Sequence, residues 1–327
     1  MHETFLQVIC EAPDDDTPRL VYADWLDEHG QTERAEFIRT QIQMTHLAPG
    51  SRRFAALRRR TRDLLAAHGE AWRQDLPKWV RRRCEFQRGF VTHVTCTALQ
   101  FIKHGEALMR AAPVRSVGIR RGAGRIAALA ESPHLAGLTA LDLRSNSAND
   151  AGIEALAASP HLRHLTTLRL GNNFIGSAGM RALAAAPWLA RLSVLDFLWM
   201  HMQAAVLRVF LASPYLPRPL VLVLAYNHLS NDGAELLAAS PLLEQVVNLD
   251  LRSNSIGPHG MQALAASPYL ACVRKLALSW NLFGDTGARA LLASPHLSQL
   301  RRLSVHDCNI KSAKDALRQR FGSRVYL

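Results

Sequence analysis

The sequence predicts an α/β solenoid, a horseshoe of stacked strand–helix units with a parallel inner sheet and outer helices, preceded by a small α-helical N-terminal domain. Two observations carry this prediction. The strings LDLRSN at Leu141, LRLGNN at Leu168, LDFLWM at Leu195, LVLAYN at Leu222, LDLRSN at Leu249, LALSWN at Leu276 and LSVHDCN at Leu303 each start 27 residues after the one before. Prolines 133, 160, 187, 214, 241, 268 and 295 keep the same step, and all but Pro187 follow a serine. Two markers in one register identify a structural repeat.

Each unit follows from its letters. An LxL run alternates at strand period, so both leucines point to one side and the residues between and after them to the other. The next stretch, such as AGIEALAAS at 151–159, has apolar residues at helical spacing and alanine-rich propensity, and the proline behind it stops the helix. Neither element buries its apolar face alone, so the units stack, strands against strands and helices against helices. Val117 to Ile119 followed by AALAESP reads as a shortened unit. Gly89 to Cys96 with the helix Phe101 to Ala112 reads as an N-terminal cap, and Ala313 to Phe321 with Val325 to Leu327 as the closing cap.

The repeat resembles the ribonuclease-inhibitor-like class of leucine-rich repeats, whose LxLxxN strand, Gly-led helix and repeat length it matches. That resemblance implies that the asparagine after each strand turns inward and hydrogen-bonds loop backbone in a ladder. The matching residues are Asn146, Asn173, Asn227, Asn254 and Asn281, with Cys308 as an accepted substitute. Met200 departs from the pattern, and the same unit has Val206 where the others open their helix on Gly152, Gly179, Gly233, Gly260 and Gly287. A local irregularity is expected there.

Residues 14–42 read as two helices, with aspartates at the first N-terminus, Gly30 as the stop and the second from Glu33. Leu20, Val21, Trp25 and Leu26 are expected to bury one face against Phe37, Ile38 and Ile42. The segment resembles the repeat-companion domain of bacterial repeat proteins, with its DDxPRLVYADWLDE core and RAEFIR second half; no chemistry comes with that resemblance. The acids of this head lack the alternating oxygen ligands of a calcium loop, so capping, or ion pairing with the residues that follow, is the expected role. The organisation is thus 1–50 helical companion domain, 51–88 basic helical neck, 89–327 solenoid with caps.

Charge divides along the same lines. Residues 1–51 hold 3 basic and 10 acidic side chains, 52–113 hold 14 and 5, and 114–327 hold 22 and 12, so the nets are −7, +9 and +10. The neck mixes Arg58, Arg59, Arg60, Arg81, Arg82 and Arg83 with Trp72 and Trp79, a composition that can neutralise phosphates and stack on bases, so nucleic acid is the alternative partner. The same arginines also fit the solvated face of an amphipathic helix carrying Phe54, Leu57, Leu64 and Leu65.

Other classes find no support in the letters. The five cysteines are scattered without a CxxC pair, which argues against a disulfide framework or zinc ribbon. Cys84, His93, Cys96 and His104 have ligating side chains at irregular spacing. Nucleotide-loop, nucleophile-elbow and zinc-protease strings are absent, and no catalytic set stands out. No enzyme activity, metal or cofactor is expected. No apolar run reaches the length of a membrane span, and the start lacks a signal-peptide layout, so the expectation is a cytoplasmic monomer.

The binding site is expected where strands end on the concave face. Successive repeats place Arg144, Gly171, Leu198, Ala225, Arg252, Ser279 and His306 in one column, and Ser145, Asn172, Trp199, Tyr226, Ser253, Trp280 and Asp307 in the next. The repeat itself does not call for three aromatics there, and such side chains anchor protein interfaces. Trp199, Tyr226 and Trp280, flanked by Arg144, Arg252, His306 and Asp307, are the predicted contacts with a protein partner. Trp199 has a second reading, as filler for the irregular unit. Analogy with eukaryotic proteins of the resembled class adds regulation of a GTPase or nuclease as a further alternative.

Overall fold

The computed structural model describes residues 2–327. It divides into two compact units, the residues up to Ile119 and Arg120–Leu327. The first contains α1 (His2–Glu11), α2 (Thr17–Glu28), α3 (Thr32–Thr45), α4 (Arg52–His68), an antiparallel pair β1 (Cys84–Gln87) and β2 (Phe90–Thr97), then α5 (Ala98–Ala111) and β3 (Ser116–Arg120).

The acidic head is three helices rather than two, because α1 precedes the segment legible in the sequence. Ile9 of α1 joins Tyr22, Ala23, Leu26, Ala35, Ile38, Ile42 and Phe90 in one apolar core. The phase of α2 also differs from expectation. Its buried side is Arg19, Tyr22, Ala23 and Leu26, while Leu20 and Val21 are 38% and 50% exposed. Positions 19, 22, 23 and 26 follow the helical repeat and 20 and 21 fall off it, so the buried Arg19 was the unexpected member. Arg19 donates from Nη2 to the Pro13 carbonyl at 2.7 Å and from Nη1 to that of Asp15 at 2.5 Å, tying down the turn that opens α2.

Arg34 of α3 lies among four aromatic rings, with its guanidinium carbon 4.8 Å from the Trp72 centroid and 5.4–5.6 Å from those of Phe90, Phe37 and Phe86. Burial lowers its pKa to about 10, and the electron-rich ring faces offset part of that loss of hydration. Acidic head and basic neck do pair: Arg60 forks onto Glu36 at 2.6 and 2.5 Å, and Arg88 Nε lies 3.6 Å from Asp16.

The second unit contains α6 (Ile126–Ala130), then alternating β4 (Ala140–Asp142), α7 (Asp150–Ala157), β5 (Thr167–Arg169), α8 (Ser177–Ala184), β6 (Val194–Asp196), α9 (Ala204–Leu211), β7 (Val221–Val223), α10 (Ser230–Ala238), β8 (Asn248–Asp250), α11 (Pro258–Ala266), β9 (Lys275–Ala277), α12 (Gly284–Ala293), β10 (Arg302–Ser304), α13 (Lys314–Phe321) and β11 (Val325–Tyr326). From β4 to β10 each strand pairs in parallel with the next at a register of 27 residues, and β11 closes the sheet on β10. Leu141, Leu168, Leu195, Leu222, Leu249, Leu276 and Leu303 are all buried, as the alternation requires. Strands repeat every ~4.8 Å and packed helices need ~8–10 Å, so the stack bends toward the sheet.

Three cross-repeat ladders hold the units together. In the first, Asn173, Asn227 and Asn281 each accept at Oδ1 from amides 27 and 25 residues earlier and donate from Nδ2 to carbonyls 30 and 3 residues earlier, at 2.7–3.1 Å. Asn146 takes the Gly122 amide at 2.7 Å, and the Cys308 thiol donates to the Leu278 carbonyl at 3.2 Å. Met200 is buried and makes no rung, while Asn227 of the next unit still serves the Met200 and Met202 amides.

In the second ladder Asp150, Asn231 and Asp285 accept the loop amides of the following unit, at Gly176 (2.6 Å), Gly257 (2.8 Å) and Lys311 (2.9 Å). In the third, Ser159, Ser267 and Ser294 donate to helix carbonyls 29 residues earlier at 2.5 Å, and Ser213 does the same toward Ala184. Ala186 cannot, and Trp188 replaces it: the indole Nε1 reaches the Ala157 carbonyl at 3.1 Å.

Candidate functional site

Beyond each strand the chain must turn before its helix, and it does so through a residue in the left-handed region. Ser145, Asn172, Trp199, Tyr226, Ser253, Trp280 and Asp307 all have φ between 51° and 59°. Asn, Asp and Ser tolerate this conformation because a short polar side chain bonds locally, whereas it costs an ordinary L residue about 1–2 kcal/mol. Three of the seven positions nevertheless hold large aromatics.

Those aromatics adjoin one another. The Trp199 and Tyr226 ring centroids are 6.2 Å apart, and Tyr226 reaches over Ser253 to stand 6.0 Å from Trp280. Trp280 donates from Nε1 to Asp307 Oδ2 at 3.1 Å, which orients the indole. Their exposures are 53%, 37% and 46%, so each ring shows a face to solvent. Phe174 (71% exposed) and Leu282 (59%) extend the apolar stripe. His201 and His228 meet beside it, with Nδ1 and Nε2 3.3 Å apart. Sequence reasoning missed Phe174, His201, His228 and Leu282, which are legible two residues further along as the column Ser147, Phe174, His201, His228, Ser255, Leu282 and Asn309.

The flanking residues separate into two groups. Asp307 touches the stripe, and His306 is exposed beside it, its amide held by Ser279 Oγ at 3.1 Å. Arg144 and Arg252 instead fork back onto acids two residues earlier. Arg144 donates to Asp142 at 3.0 and 2.6 Å, and Arg252 to Asp250 at 2.9 and 2.6 Å. Asp142 is buried enough to be pushed up, yet the Arg144 hydrogen bonds hold its carboxyl below the ordinary range. Asp196, 3.8 Å from Arg144, has no such fork, and burial pushes it up.

Further up the same face a groove of about 340 Å³ crosses β7 to β10. Val223, Ala277 and Ser304 line its floor, and Lys275, Arg302 and Arg252 its walls.

The neck residues take up diverse positions. Arg60 is engaged by Glu36, and Arg81 donates to the carbonyls of Leu76 (2.8 Å) and Gln74, closing a turn. Arg58, Arg59, Arg82 and Arg83 are exposed. Trp72 packs on Phe37 at 4.8 Å and Trp79 lies 6.5 Å from His104, so both indoles are half-buried against the protein. Cys96 is buried, with its thiol pushed up to about 12 by burial, and His93 Nδ1 lies 2.7 Å from Ser116 Oγ. Among the described residues no group of three or more His, Cys, Asp or Glu side chains gathers, and no helix is long and apolar enough to cross a membrane.

A leucine-rich-repeat family model matches residues 136–157, 161–184, 220–238, 246–265 and 269–292, passing over the unit of Leu195. Among solved structures the chain is similar to an internalin from Listeria monocytogenes, at 16% identity and a TM-score of 0.32, over 66% of this chain. It spans about half of that protein, 48% of its length. The comparison with curated proteins finds no match. With its 27-residue register, buried leucines and asparagine ladder, the repeated part of this chain is a leucine-rich-repeat solenoid.

Proposed function

We propose that the chain is a non-catalytic scaffold that binds a protein partner on the concave face of its solenoid, through Trp199, Tyr226 and Trp280. The observation that carries this reading is the strain and exposure of those three rings together. Strain kept where smaller residues would relieve it is a mark of a functional position. Contiguous exposed aromatics are what interfaces use as anchors. On this reading the repeats are of the ribonuclease-inhibitor-like class and the helical head is a bacterial repeat-companion domain. The Cys308 thiol serves as a ladder donor and must stay reduced to do so, which supports a cytoplasmic setting.

The test is affinity capture from the source cells with the native chain beside a Trp199→Ala/Tyr226→Ala/Trp280→Ala variant of unchanged thermal stability. The expected result is loss of the dominant captured protein. A partner list unchanged by the triple substitution overturns the reading.

A further inference from the structure

We infer that the groove across β7 to β10 takes an acidic, extended segment of the partner; this deepens the scaffold reading and rests on it. Two exposed cations line the groove, Lys275 from one repeat and Arg302 from the next, and each is preceded in the chain by a further exposed arginine, Arg274 and Arg301. Lys275 and Arg302 are register partners on adjacent parallel strands, ~4.8 Å apart. Among the described residues none of the four is ion-paired. The nearby Asp250 is taken by the fork from Arg252. Arg302 is held by the Tyr326 ring, 4.7 Å from its guanidinium carbon, an arrangement that orients the cation without neutralising it.

The floor between these cations is made of small side chains, so a backbone can approach. Asn248 stands in register with Lys275, and its buried Oδ1 has no donor. The groove thus offers two cations to a carboxylate.

The geometry also fixes what lies beyond. Trp280 follows Lys275 by five residues, beyond the end of β9 at Ala277 and on the turn that carries the aromatic stripe. A bound segment running along the strands therefore places its acids on Lys275 and Arg302 and an apolar or aromatic side chain a few residues away on the Trp280 and Tyr226 rings. A nucleic acid fits less well. Its phosphates form a continuous negative line, which would pass the carboxylates of Asp250 and Asp307 on this face. Peptide carboxylates can be spaced clear of both.

The experiment is selection of a displayed library of random peptides, roughly 12 residues long, on the whole protein. Synthetic versions of the enriched sequences are then titrated by tryptophan fluorescence. Enriched sequences with clustered Asp and Glu and an apolar residue a few positions away are expected. Their affinity should fall about tenfold or more in a Lys275→Glu/Arg302→Glu variant and decline with added salt. Both substituted side chains are exposed, so the variant's melting temperature should match the native one and show that it folds.

Neutral or basic sequences that need Trp199, Tyr226 and Trp280 but ignore Lys275 and Arg302 overturn the acidic segment and leave the scaffold reading standing. Acidic sequences that bind the charge-reversed variant equally overturn it too. A single-stranded oligonucleotide that displaces the peptides and itself depends on Lys275 and Arg302 overturns it in favour of nucleic acid. A library from which nothing is enriched counts against both the inference and the scaffold reading.

Discussion

Two columns of the solenoid stand one residue apart and follow opposite rules. The inner column is Asn146, Asn173, Met200, Asn227, Asn254, Asn281 and Cys308, buried and nearly uniform. The outer column, Ser145 to Asp307, has the same backbone conformation throughout and the most varied side chains of the repeat. The inner column is nearly uniform because an asparagine there can satisfy four backbone groups at once, as Asn173, Asn227 and Asn281 do, and few other side chains carry a donor and an acceptor in that geometry. The outer column faces an equally strict backbone demand, yet three times it holds residues that meet it poorly. Within one repeat, sameness marks what the fold needs, and costly variety marks what the fold does not ask for.

The comparison can be broken at several points. The largest effect is expected at the inner column. Asn281→Ala removes the acceptor of two amides and the donors to two carbonyls at a fully buried site and should lower the unfolding free energy by about 3–5 kcal/mol in urea titrations. A loss below about 1 kcal/mol would mean that water replaces the rung.

The exchange at Ala186 provides a second, smaller test. Trp188→Phe leaves the Ala157 carbonyl without its donor and should cost about 1 kcal/mol, and adding Ala186→Ser should recover much of that by restoring the hydroxyl used in the other units. Failure of the serine to rescue would show that the indole contributes by packing instead.

At the outer column the sign reverses. Trp199→Asn or Trp280→Asn places a residue suited to positive φ and should raise stability by about 0.5–1 kcal/mol while abolishing partner capture. A loss of stability would show that these rings serve the fold.

The last effect appears only in acid. Asp285 accepts the backbone amides of Ser312, Ala313 and Lys311, which hold its carboxyl well below the ordinary carboxylate range. Its stabilisation is therefore fully present above the unfolded value near ~3.9 and is lost as pH falls from there through the folded value. Melting temperatures of the native chain and Asp285→Asn should converge as pH drops from 6 toward 2, by differential scanning calorimetry.

Much of this was legible in the sequence, for reasons that differ by element. The 27-residue register exposed the strands, the ladder and the odd unit at Leu195, since every copy repeats the same physical demand. The same register brought Trp199, Tyr226 and Trp280 into one column, and the side-chain geometry joins them. The phase of α2 was not legible, because Leu20 and Val21 are apolar and a buried Arg19 is not what composition leads one to expect. Nor were the forks of Arg144 and Arg252 onto Asp142 and Asp250. They join the last residue of a strand to the residue two further on, a pattern that reads equally well as scattered charge. The groove was missed because its walls come from the first residues of separate strands, and only their pairing brings Asn248, Lys275 and Arg302 into line.

The missing rung at Met200 has a consequence for how the molecule comes apart. The amides of Asn173 and Ile175, which a side-chain carbonyl at position 200 would cap, have none from methionine. A stack of repeats behaves as a chain of nearest-neighbour couplings, and the weakest coupling decides where cooperativity breaks. The join between the units of Leu168 and Leu195 is that place. Under mild denaturant the repeats before it and those after it should exchange their amides as two separate blocks, and Trp199 stands on the seam.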